Sequence, residues 1–509
     1  MKILSAEQIR EADKYTIENE PIKSIDLMER ASRAFVLWFE SNFNRDRNVY
    51  IFCGTGNNGG DGMAIGRILS FRKWTVKTIT VKKSAKRSQD FTINYLKLAE
   101  VRQVDNIEKK ADLNFNINEN SIVIDAIFGS GLVREIKGIY AEVIDFLNNT
   151  GATIISVDVP SGLFIDTLSP KKTVIKADHV LSFQLPKLAF LVPENSNFIK
   201  NWSIANIGLD QDFINAQQTN YEYIDHDFVG QLIRPRRKFD HKTNFGRIML
   251  MSGSYGKMGA CILCAKASMK AGAGLVTAHI PKCGYDILQT TIPEVMTSTD
   301  FEKRFLTAIP ELDPYDAIGI GPGIGQNIDT YEVIAQLLDH YHKPIVFDAD
   351  AINIIADEQS FMRKLPEGSI LTPHPGEFKR LVGFWNDDFE RLEQQIAISK
   401  EFKTYIVLKG AHTSISTPEG KVYFNSTGNP GMATGGSGDV LTGIITALLG
   451  QQYPPEHAAV LGVYLHGLAA DLAVEQLGEE GLIASDIIDY LPKAFNKVKN
   501  QSGKFGDPA

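Results

Sequence analysis

The chain of 509 residues has few of the features that mark secreted, membrane or nucleic-acid-binding proteins. Four cysteines are too few for a disulfide framework in a chain of this length. Its apolar runs stop short of the ~18 residues that a membrane span requires, and the N-terminus lacks the long apolar core of a signal peptide. The net charge is -8, and no long basic block is present. We therefore expect a cytoplasmic protein that binds neither membranes nor nucleic acids.

Cys261 and Cys264 form a CxxC pair, but nothing nearby completes a metal or redox site. They lie in the small-residue segment MGACILCAKASMKAG, without a second CxxC or a neighbouring histidine. We therefore expect both thiols to be buried as small hydrophobic side chains.

The rest of the chain alternates short apolar runs with amphipathic stretches, which is the pattern of an α/β protein. The apolar runs are rich in Val and Ile, are followed by Gly, Asp or Pro, and are predicted to be buried parallel strands. They span residues 48–53, 121–127, 153–157, 247–251, 317–320, 344–347 and 405–408. Residues 208–223 have mixed polarity without a sustained period, so we place a boundary between two domains, 1–222 and 223–509.

A glycine-rich segment, GTGNNGGDG at residues 54–62, directly follows the first predicted strand. Its glycines would let the backbone approach a ligand closely and adopt positive φ. The following helix, MAIGRILS, would point backbone N–H groups at an anion, and Asn57, Asn58 and Asp61 add polar side chains. The segment is neither a Walker loop nor a GxGxxG fingerprint. It indicates a ligand-binding loop, the alternative being a tight structural turn.

Two aspartates, Asp125 and Asp158, follow later strands in IVIDAIFGSGL and IISVDVPSG. A single Asp at such a junction is often a helix cap or a turn residue. Because both are followed by glycine-containing loops at the carboxyl ends of parallel strands, we expect them to line one crevice.

In the second half, residues 428–450 (GNPGMATGGSGDVLTGIITALLG) run from a glycine-rich loop into an apolar helix. The loop and the helix start would present backbone donors to an anion. Asp439 stands among the first helical residues, where it either caps the helix or, in a phosphoryl-transfer site, accepts the proton of a substrate hydroxyl. The preceding glycines favour the second interpretation, because a cap does not require them.

Further loops after predicted strands carry polar residues and are expected to contribute to the same site. They are GIGPGIG at 319–325, VFDADAIN at 346–353, LTPHPGEF at 371–378 and VLKGAHT at 407–413. His374, which lies between two prolines, is either a site residue or a satisfied turn histidine, and spacing alone does not decide between them.

These motifs resemble two enzyme families in succession along one chain. GNNGGDG, DAIFGSGL and VDVPSG resemble the NAD(P)H-hydrate epimerases over residues 1–222. GSYGKMGA, GIGPGIG, DADAIN, TPHPGE, KGAHT and GGSGD resemble the ADP- or ATP-dependent NAD(P)H-hydrate dehydratases, which are ribokinase-like, over about 223–509. The whole chain thus resembles the bifunctional NAD(P)H-hydrate repair enzymes, with Lys257 in the first dehydratase motif as a mild departure.

The first resemblance implies a Rossmann-like fold, a bound K⁺ ion and a pocket for the hydrated cofactor. The implied K⁺ ligands are Asn58, Asp125 and Ser161, whose oxygens suit a hard cation. The implied hydrate contacts are Asn57, Asn58, Gly59, Gly60, Asp61, Gly129, Ser130, Gly131, Leu132, Val133, Arg134, Glu135, Tyr140 and Asp158. Epimerisation inverts C6 of the reduced ring by losing and regaining its hydroxyl. That step requires an acid/base group, and Asp158 is the candidate.

The second resemblance implies a ribokinase-like fold in which the hydrate hydroxyl is phosphorylated and phosphate is then expelled. The implied hydrate contacts are Ala260, Gly323, His374 and Asp439, and the implied nucleotide contacts are Lys409, Gly410, Ala411, His412, Thr413 and Gly438. Asp439 is the candidate base, and Mg²⁺ held mostly by substrate and water is expected across the phosphates. ADP is the expected nucleotide, yielding AMP and phosphate, and a homo-oligomer is the expected assembly.

Other functions fit parts of the sequence. A ribokinase-like vitamin kinase with an accessory domain would share the GGSGD loop, although the HPGE and KGAHT loops favour a dehydratase. A non-catalytic scaffold is disfavoured because Asp158 and the NNGGD loop are intact. A dehydrogenase is disfavoured because no GxGxxG with a downstream acid is present.

Overall fold

The computed structural model describes residues 1–82, 86–170 and 172–501, which form two compact units. The N-terminal unit comprises Lys2–Thr219 together with Asp387–Phe389. The C-terminal unit comprises Met1, Asn220–Asn386 and the described chain from Glu390 onward. The boundary that the sequence suggests, at residue 222, falls inside a short strand that pairs within the sheet of the C-terminal unit.

The N-terminal unit alternates strands and helices along most of its length. Its helices are α1 (Ala6–Asn19), α2 (Ser24–Asn42), α3 (Asn57–Phe71), α4 (Gln89–Ala99), α5 (Ile139–Asn148) and α6 (Gln211–Ala216). Its strands are β1 (Asn48–Cys53), β2 (Val76–Val81), β3 (Val104–Ile107), β4 (Ser121–Ala126), β5 (Thr153–Val157), β6 (Ala177–Phe183) and β7 (Ile199–Ala205).

These strands form one sheet in the order β3-β2-β1-β4-β5-β6-β7, in which all neighbours are parallel. The sheet is Rossmann-like, because strand order reverses between β1 and β4. Successive side chains point to opposite faces, and each face has its own core. Ile51 belongs to the cluster of Phe35 and Leu69, whereas Phe52 belongs to that of Ile144. The loops after β1 and β4 therefore diverge and open a crevice between them.

Helix α3 begins earlier than the sequence suggests. The whole NNGGDG segment is helical with Gly56 as its N-cap, and none of the glycines from 54 to 62 has a positive φ. A Cβ on Gly59 would lie 1.9 Å from the Gly54 carbonyl oxygen, and one on Gly62 would lie 2.6 Å from Cys53 Sγ. The expectation of positive φ is therefore wrong, since these glycines instead allow the start of α3 to pack directly against the sheet.

The C-terminal unit is a larger α/β layer structure. Its helices are α7 (His226–Leu232), α8 (Met258–Lys270), α9 (Tyr285–Thr291), α10 (Ile328–His340), α11 (Ala349–Asp357), α12 (Pro375–Val382), α13 (Asp388–Phe402), α14 (Ser437–Gly450), α15 (Pro455–Leu477) and α16 (Ala484–Gln501). Its strands are β8 (Tyr221–Tyr223), β9 (Arg247–Met251), β10 (Leu275–Ile280), β11 (Met296–Thr299), β12 (Ala317–Ile320), β13 (Ile345–Phe347), β14 (Ile370–Leu371), β15 (Tyr405–Leu408), β16 (Ser414–Ser416) and β17 (Val422–Phe424).

The ten strands form a second sheet in the order β11-β10-β9-β12-β13-β14-β15-β16-β17-β8. All neighbours are parallel except for β16, which runs antiparallel to both β15 and β17. This is a ribokinase-like arrangement, with the order reversing at β9 and β12. Because β9, β12, β13, β14 and β15 are parallel, the loops that follow them meet at one edge of the sheet.

Apolar helices form the core on one side of this sheet. Helix α15 is long and apolar enough to cross a membrane, but 78% of its most apolar window is buried inside the unit. Helix α14 packs so closely on α8 that a Cβ on Gly443 would lie 2.2 Å from the Cys264 carbonyl oxygen. The free thiols of Cys261 and Cys264 are fully buried on α8. Among the described residues, no three His, Cys, Asp or Glu side chains cluster to hold a metal.

Candidate active sites

A cavity of about 630 Å³ lies in the N-terminal unit at the carboxyl ends of β1, β4 and β5. This is the edge of the sheet where strand order reverses and where α/β proteins bind ligands. Eight of the predicted hydrate contacts line it, namely Asn57, Asn58, Asp61, Gly129, Ser130, Gly131, Leu132 and Asp158. Helices α1 and α2 complete the wall. The two loops and Asp158 therefore share one crevice, as the positions of the motifs suggest.

The remaining predicted hydrate contacts are not among the residues that line this cavity: Gly59, Gly60, Val133, Arg134, Glu135 and Tyr140. The two glycines are buried within α3. The three residues of the loop after β4 are exposed. Tyr140 packs against Phe128, with ring centroids 4.8 Å apart. Tyr140 also hydrogen-bonds Thr55, which lines the cavity.

Asp158, immediately after β5, has a strained backbone conformation, and its carboxylate is fixed by two contacts. Its φ is +64°, a left-handed conformation that a non-glycine residue keeps only when its surroundings enforce it. Its Oδ1 accepts a hydrogen bond from the Phe183 amide at 3.0 Å and forms an ion pair with Lys187 Nζ at 2.9 Å. The Lys187 side chain is completely buried, and the carboxylate of Asp158 is 14% exposed, toward the cavity.

Four other carboxyls line the same cavity: Asp13 and Glu18 on α1, Asp61 on α3 and Asp90 on α4. Burial and the nearby Asp158 carboxylate raise the pKa of Asp13 to about 7, with Lys187 opposing the shift. Burial, followed by the charges of Asp158, Asp13 and Asp90, raises the pKa of Asp61 well above its usual range. Such a concentration of perturbed carboxyls in a cleft is characteristic of a reactive site.

Asp125, near the end of β4, is fully buried and is not among the residues that line this cavity, so the expectation that it lines one crevice with Asp158 is wrong. The Oδ1 of Asp125 accepts a hydrogen bond from Ser161 Oγ at 2.5 Å, and its Oδ2 accepts from the Ser161 amide and from Ser156 Oγ, both at 2.8 Å. Burial raises the pKa of Asp125, and these hydrogen bonds oppose the shift. Ser161 Oγ also accepts from the Phe128 amide at 2.8 Å.

Asn58 adjoins this group of side chains across the loop after β4. A Cβ on Gly129 would lie 3.3 Å from the Asn58 side chain. Asn58 Nδ2 is buried without a hydrogen-bond partner in the described part of the chain, which is costly unless a ligand rearranges the amide. Asp125 and Ser161 are thus in direct contact, and Asn58 lies beside the loop to which Ser161 is hydrogen-bonded. All three side chains carry oxygen atoms of the kind that bind a hard cation.

In the C-terminal unit, a buried carboxylate follows β13. Asp348 accepts hydrogen bonds from Thr372 Oγ1 at 2.8 Å and Thr442 Oγ1 at 2.7 Å, and forms an ion pair with Lys409 Nζ at 2.9 Å. Lys409 follows β15, and a Cβ on Gly438 would lie 3.3 Å from its Nζ. The ammonium therefore sits at the start of helix α14, where an anion would also be attracted by the helix dipole.

Asp439 occupies the first turn of α14, next to this ion pair. The helix has Gly436 as its N-cap, with φ of +93°, and no side chain caps it. The expected alternative that Asp439 caps the helix is therefore wrong. Burial, followed by the charge of Asp348, raises the pKa of Asp439 to about 7, with Lys409 opposing the shift. A carboxyl with a pKa near 7 is suited to accept a proton at neutral pH.

His374 caps helix α12. Its Nδ1 accepts a hydrogen bond from the Gly376 amide at 2.9 Å, and its own amide donates to Glu377 Oε2 at 2.9 Å. These are the contacts of a satisfied turn histidine. Glu377 also lies 4.0 Å from Lys409 Nζ, so the cap connects to the Asp348–Lys409 pair.

The other predicted residues of this half lie on loops or at helix starts near the same sheet edge: Ala260 is in the first turn of α8, and Gly323 is on the loop after β12. A Cβ on Gly323, whose φ is +68°, would lie 3.2 Å from the Ala260 Cβ, so these two positions adjoin. The loop after β15, with Lys409, Gly410, Ala411, His412 and Thr413, is tied by Thr413 Oγ1, which accepts from the Gly410 amide at 3.2 Å and donates to the Gly410 carbonyl at 3.0 Å. His412 is partly buried, which lowers its pKa.

Sequence reasoning missed three charged residues that organise these sites: Asp13, Lys187 and Asp348. Lys187 carried the clearest signal, since it is a single cation inside the apolar segment LPKLAFLV. Asp348 lies within the DADAIN motif, but nothing in the motif says which of its carboxylates is buried. Asp13 lies in an ordinary amphipathic helix, and its sequence surroundings do not distinguish it from a solvated residue.

Comparison with known proteins defines the class of each unit. Residues 24–189 match the family model described as YjeF-related protein N-terminus, and residues 248–493 match the one described as NAD(P)H-hydrate dehydratase. A Bacillus subtilis ADP/ATP-dependent NAD(P)H-hydrate dehydratase, co-crystallised with ATP and Mg²⁺, is 29% identical and matches with a TM-score of 0.48 over 55% of this chain and all of that one.

Relatives with both units match across nearly the whole chain. The bifunctional NAD(P)H-hydrate repair enzyme Nnr of Moorella thermoacetica is 35% identical, over 98% of this chain and 98% of its own. That of Escherichia coli is 30% identical, over 96% of this chain and 93% of its own. The chain belongs to the family of bifunctional NAD(P)H-hydrate repair enzymes.

Proposed function

We propose that the N-terminal unit epimerises the R and S hydrates of NADH and NADPH, and that the C-terminal unit dehydrates the S hydrate at the expense of a nucleotide. The observation that carries this proposal is that each unit of this family member places its proposed acid/base carboxyl in, or next to, an ion pair with a lysine. Asp158 is paired with buried Lys187 in the first, and Asp439 adjoins the Asp348–Lys409 pair in the second.

In the N-terminal unit, Asp158 is the proposed acid/base group. The hydrate carries a hydroxyl on C6, next to the ring nitrogen, whose lone pair can expel that hydroxyl as water. Addition of water to the opposite face of C6 then gives the other epimer. The ion pair with Lys187 keeps negative charge on Asp158, so its free oxygen can take a proton from the attacking water. The surrounding carboxyls would stabilise the positive charge that develops on the ring.

The residues around Asp125 fit a potassium ion. Asn58, Asp125 and Ser161 supply amide, carboxylate and hydroxyl oxygens, and the unpartnered Asn58 amide is free to reorient toward an ion. K⁺ would fix the loop after β4, to which Ser161 is already hydrogen-bonded through Phe128. That loop carries the glycines proposed to hold a phosphate of the hydrate.

In the C-terminal unit, Asp439 is the proposed base for phosphoryl transfer. It accepts the proton of the C6 hydroxyl as that oxygen forms a bond to the terminal phosphorus of ADP or ATP and the bond from that phosphorus to the leaving AMP or ADP breaks. The C6–O bond then breaks and a proton passes from C5 to the departing phosphate, which restores the double bond of NAD(P)H. With ADP the products are AMP and inorganic phosphate. Lys409 and the N-terminus of α14 would neutralise the transferring group.

Mg²⁺ is the proposed companion of the nucleotide. Such an ion bridges phosphate oxygens and keeps several waters, so a complete protein cage is not required. The carboxylates near Lys409, chiefly Asp348, would accept hydrogen bonds from the waters on Mg²⁺ rather than bind the ion directly.

The test is incubation of the full chain with mixed R and S hydrates, with and without ADP. The absorbance of reduced nicotinamide should recover completely with nucleotide and not without it, with one free phosphate released per NADH. Accumulation of a phosphorylated hydrate would contradict dehydration and support a small-molecule kinase instead. If only the S fraction is converted to NADH, once spontaneous interconversion of the two hydrates has been subtracted, the epimerase assignment is contradicted.

A further inference from the structure

Inversion of C6 brings the hydroxyl off one face of the ring and onto the other. The proposed epimerisation assigns Asp158 and leaves one of the two faces without a proton donor or acceptor. General acid/base catalysis requires each group within hydrogen-bond reach of the proton it transfers, so one carboxylate cannot serve both faces of a fixed ring equally. A second group should line the same cavity, come from a different structural element and be free of other partners.

Asp13 meets these requirements. It projects from α1 into the cavity, whereas Asp158 reaches the cavity from the end of β5. Asp158 is held by Lys187 and by a backbone amide. By contrast, the Asp13 carboxyl has no hydrogen bond or ion pair to any residue within 1–82, 86–170 and 172–501. A cavity-lining carboxyl without partners contributes nothing to the fold and costs desolvation, so its presence calls for a ligand.

The other three cavity carboxyls are less suited to this role. Glu18 is largely exposed to solvent and pairs with Lys14 Nζ at 3.9 Å on the same helix. Asp90 Oδ2 accepts a hydrogen bond from Ser24 Oγ at 2.5 Å, which ties it to the start of α2. Asp61 belongs to α3, whose first residues are already proposed to contact the hydrate, and burial followed by the charges of Asp158, Asp13 and Asp90 raises its pKa well above its usual range. We therefore assign Asp61 to contact with the hydrate rather than to proton transfer.

We propose that Asp13 is the second catalytic residue of the epimerase and that it and Asp158 act on opposite faces of C6. This inference rests on the proposed function of the N-terminal unit. In one direction, protonated Asp13 gives its proton to the C6 hydroxyl, the C6–O bond breaks, and the electron pair of the ring nitrogen forms the C=N bond. A water molecule then attacks C6 from the other face and passes its proton to ionised Asp158. In the other direction the two carboxyls exchange roles.

The charges around Asp13 favour a pair that holds a single proton. Burial and the Asp158 carboxylate raise the pKa of Asp13 to about 7, while Lys187 keeps the charge on Asp158. The charged or titratable groups that face Asp13 are Arg10, Lys14 and Glu18 on its own helix, Asp158 after β5, Lys187 after β6, Asp61 on α3 and Asp90 on α4. Both directions require the singly protonated pair, so kcat/KM should fall above about pH 7 in both.

The experiment measures epimerisation of separated R and S hydrates by the full chain across pH, with Asp13→Asn, Asp13→Glu and, as a matched control, Glu11→Gln. Glu11 is an exposed carboxyl on the same helix that does not line the cavity. Asp13→Asn should lower kcat/KM by ~10²-fold or more and abolish the decline above neutral pH. Asp13→Glu should retain that decline with part of the rate, and Glu11→Gln should match the parent chain.

Two controls separate the possible failures. Nucleotide-dependent dehydration of the S hydrate should be unchanged in all three variants, which shows that the C-terminal unit is folded. Tryptophan fluorescence should also be unchanged, which shows that the N-terminal unit is folded, because Trp38, Trp74 and Trp202 lie in it. If the parent chain does not epimerise at all, the proposed function of this unit fails. A different result would overturn the role of Asp13 alone. In that case the parent chain epimerises and Asp158→Asn does not, but Asp13→Asn keeps at least a third of the parent rate and the same pH profile. The epimerase assignment would then stand.

Discussion

The two units place their reactive carboxyls in the same kind of setting. In the N-terminal unit, Lys187 holds Asp158 at 2.9 Å, and Asp13 nearby has a pKa raised to about 7. In the C-terminal unit, Lys409 holds Asp348 at 2.9 Å, and Asp439 nearby has a pKa raised to about 7. In each case one carboxylate has its charge fixed by a lysine, and that charge helps to raise the pKa of the second.

The lysines differ in what else they can do. Lys187 is completely buried and also faces Ser182 Oγ and the carbonyls of Phe183 and Leu185, within 3.1 Å, so its three donors are fully used. Lys409 is 23% exposed and adjoins Gly438 at the start of α14. The first lysine can only position a carboxylate, whereas the second can also reach a phosphate. The same arrangement therefore suits proton transfer in one unit and phosphoryl transfer in the other.

The largest expected effect comes from removing the buried lysine. Lys187→Met should leave the Asp158 carboxylate without its counter-charge and destabilise the N-terminal unit by about 3 kcal/mol or more, the usual cost of breaking a buried pair. Epimerisation should be lost at the same time. Tryptophan fluorescence during denaturant unfolding can measure the change, since Trp38, Trp74 and Trp202 lie in this unit and only Trp385 lies in the other.

The matched control is Lys200→Met. Lys200 pairs with Asp178 at 2.6 Å, but its side chain is 73% exposed, so its replacement should change the free energy of unfolding little. Equal destabilisation by the two variants would contradict a special role for the buried pair.

The next largest effect is expected from replacing Asp439, the proposed base of the C-terminal unit. Asp439→Asn should lower nucleotide-dependent recovery of NADH by ~10²-fold or more, because the substrate hydroxyl loses its proton acceptor. Nucleotide affinity and epimerisation should persist. Asp329→Asn is the matched control, since Asp329 is an exposed acid in the first turn of α10. Turnover within a few-fold of the parent chain in Asp439→Asn would remove Asp439 from the mechanism.

The raised pKa of Asp439 also predicts how the stability of the C-terminal unit depends on pH. A carboxyl whose pKa rises from 3.8 to about 7 on folding stabilises the folded state below pH 4 and loses that contribution as pH rises through 7. Asp439→Asn does not titrate, so it should gain stability relative to the parent chain between pH 4 and pH 8, by on the order of 2 kcal/mol. Melting temperatures of the two proteins that change in parallel across this range would contradict the raised pKa.

The smallest expected effect is that of the monovalent cation. Replacing K⁺ by Na⁺ or by a bulky organic cation should slow epimerisation roughly tenfold, on the scale seen when the surroundings of a metal site are disturbed. Ser161→Ala should be slow in every salt, since it lacks one of the oxygen donors. Equal epimerisation rates of the parent chain in all three salts would refute a functional ion.

The sequence predicted the strands well and the charge pairs poorly, for a physical reason. A buried parallel strand needs apolar side chains on both faces, so β1, β4 and β5 are recognisable as short runs of Val and Ile. The start of α3 was misplaced because its glycines serve packing against β1 and not a turn. Local composition cannot distinguish these two uses.

Ion pairs between distant loops leave no local pattern. Asp348 and Lys409 are 61 residues apart, and only the parallel arrangement of β13, β14 and β15 brings the loops that carry them to one edge. Asp13 approaches Asp158 across a helix–sheet contact in the same way. The motifs could therefore indicate where each site lies, but not which carboxyl carries a fixed charge and which is free to take up a proton.

Division of the repair reaction between two carboxyl centres can be tested directly with pure R hydrate. With ADP, the parent chain should convert all of it to NADH. With Asp158→Asn, the R hydrate should be consumed no faster than it epimerises spontaneously. Asp439→Asn should convert it to a mixture of R and S hydrates without forming NADH. Mixing the two variants should restore the full absorbance of reduced nicotinamide, as in the parent chain. If either variant alone recovers NADH from R hydrate at the parent rate, or if the mixture fails to do so, the assignment of separate reactions to Asp158 and Asp439 is contradicted.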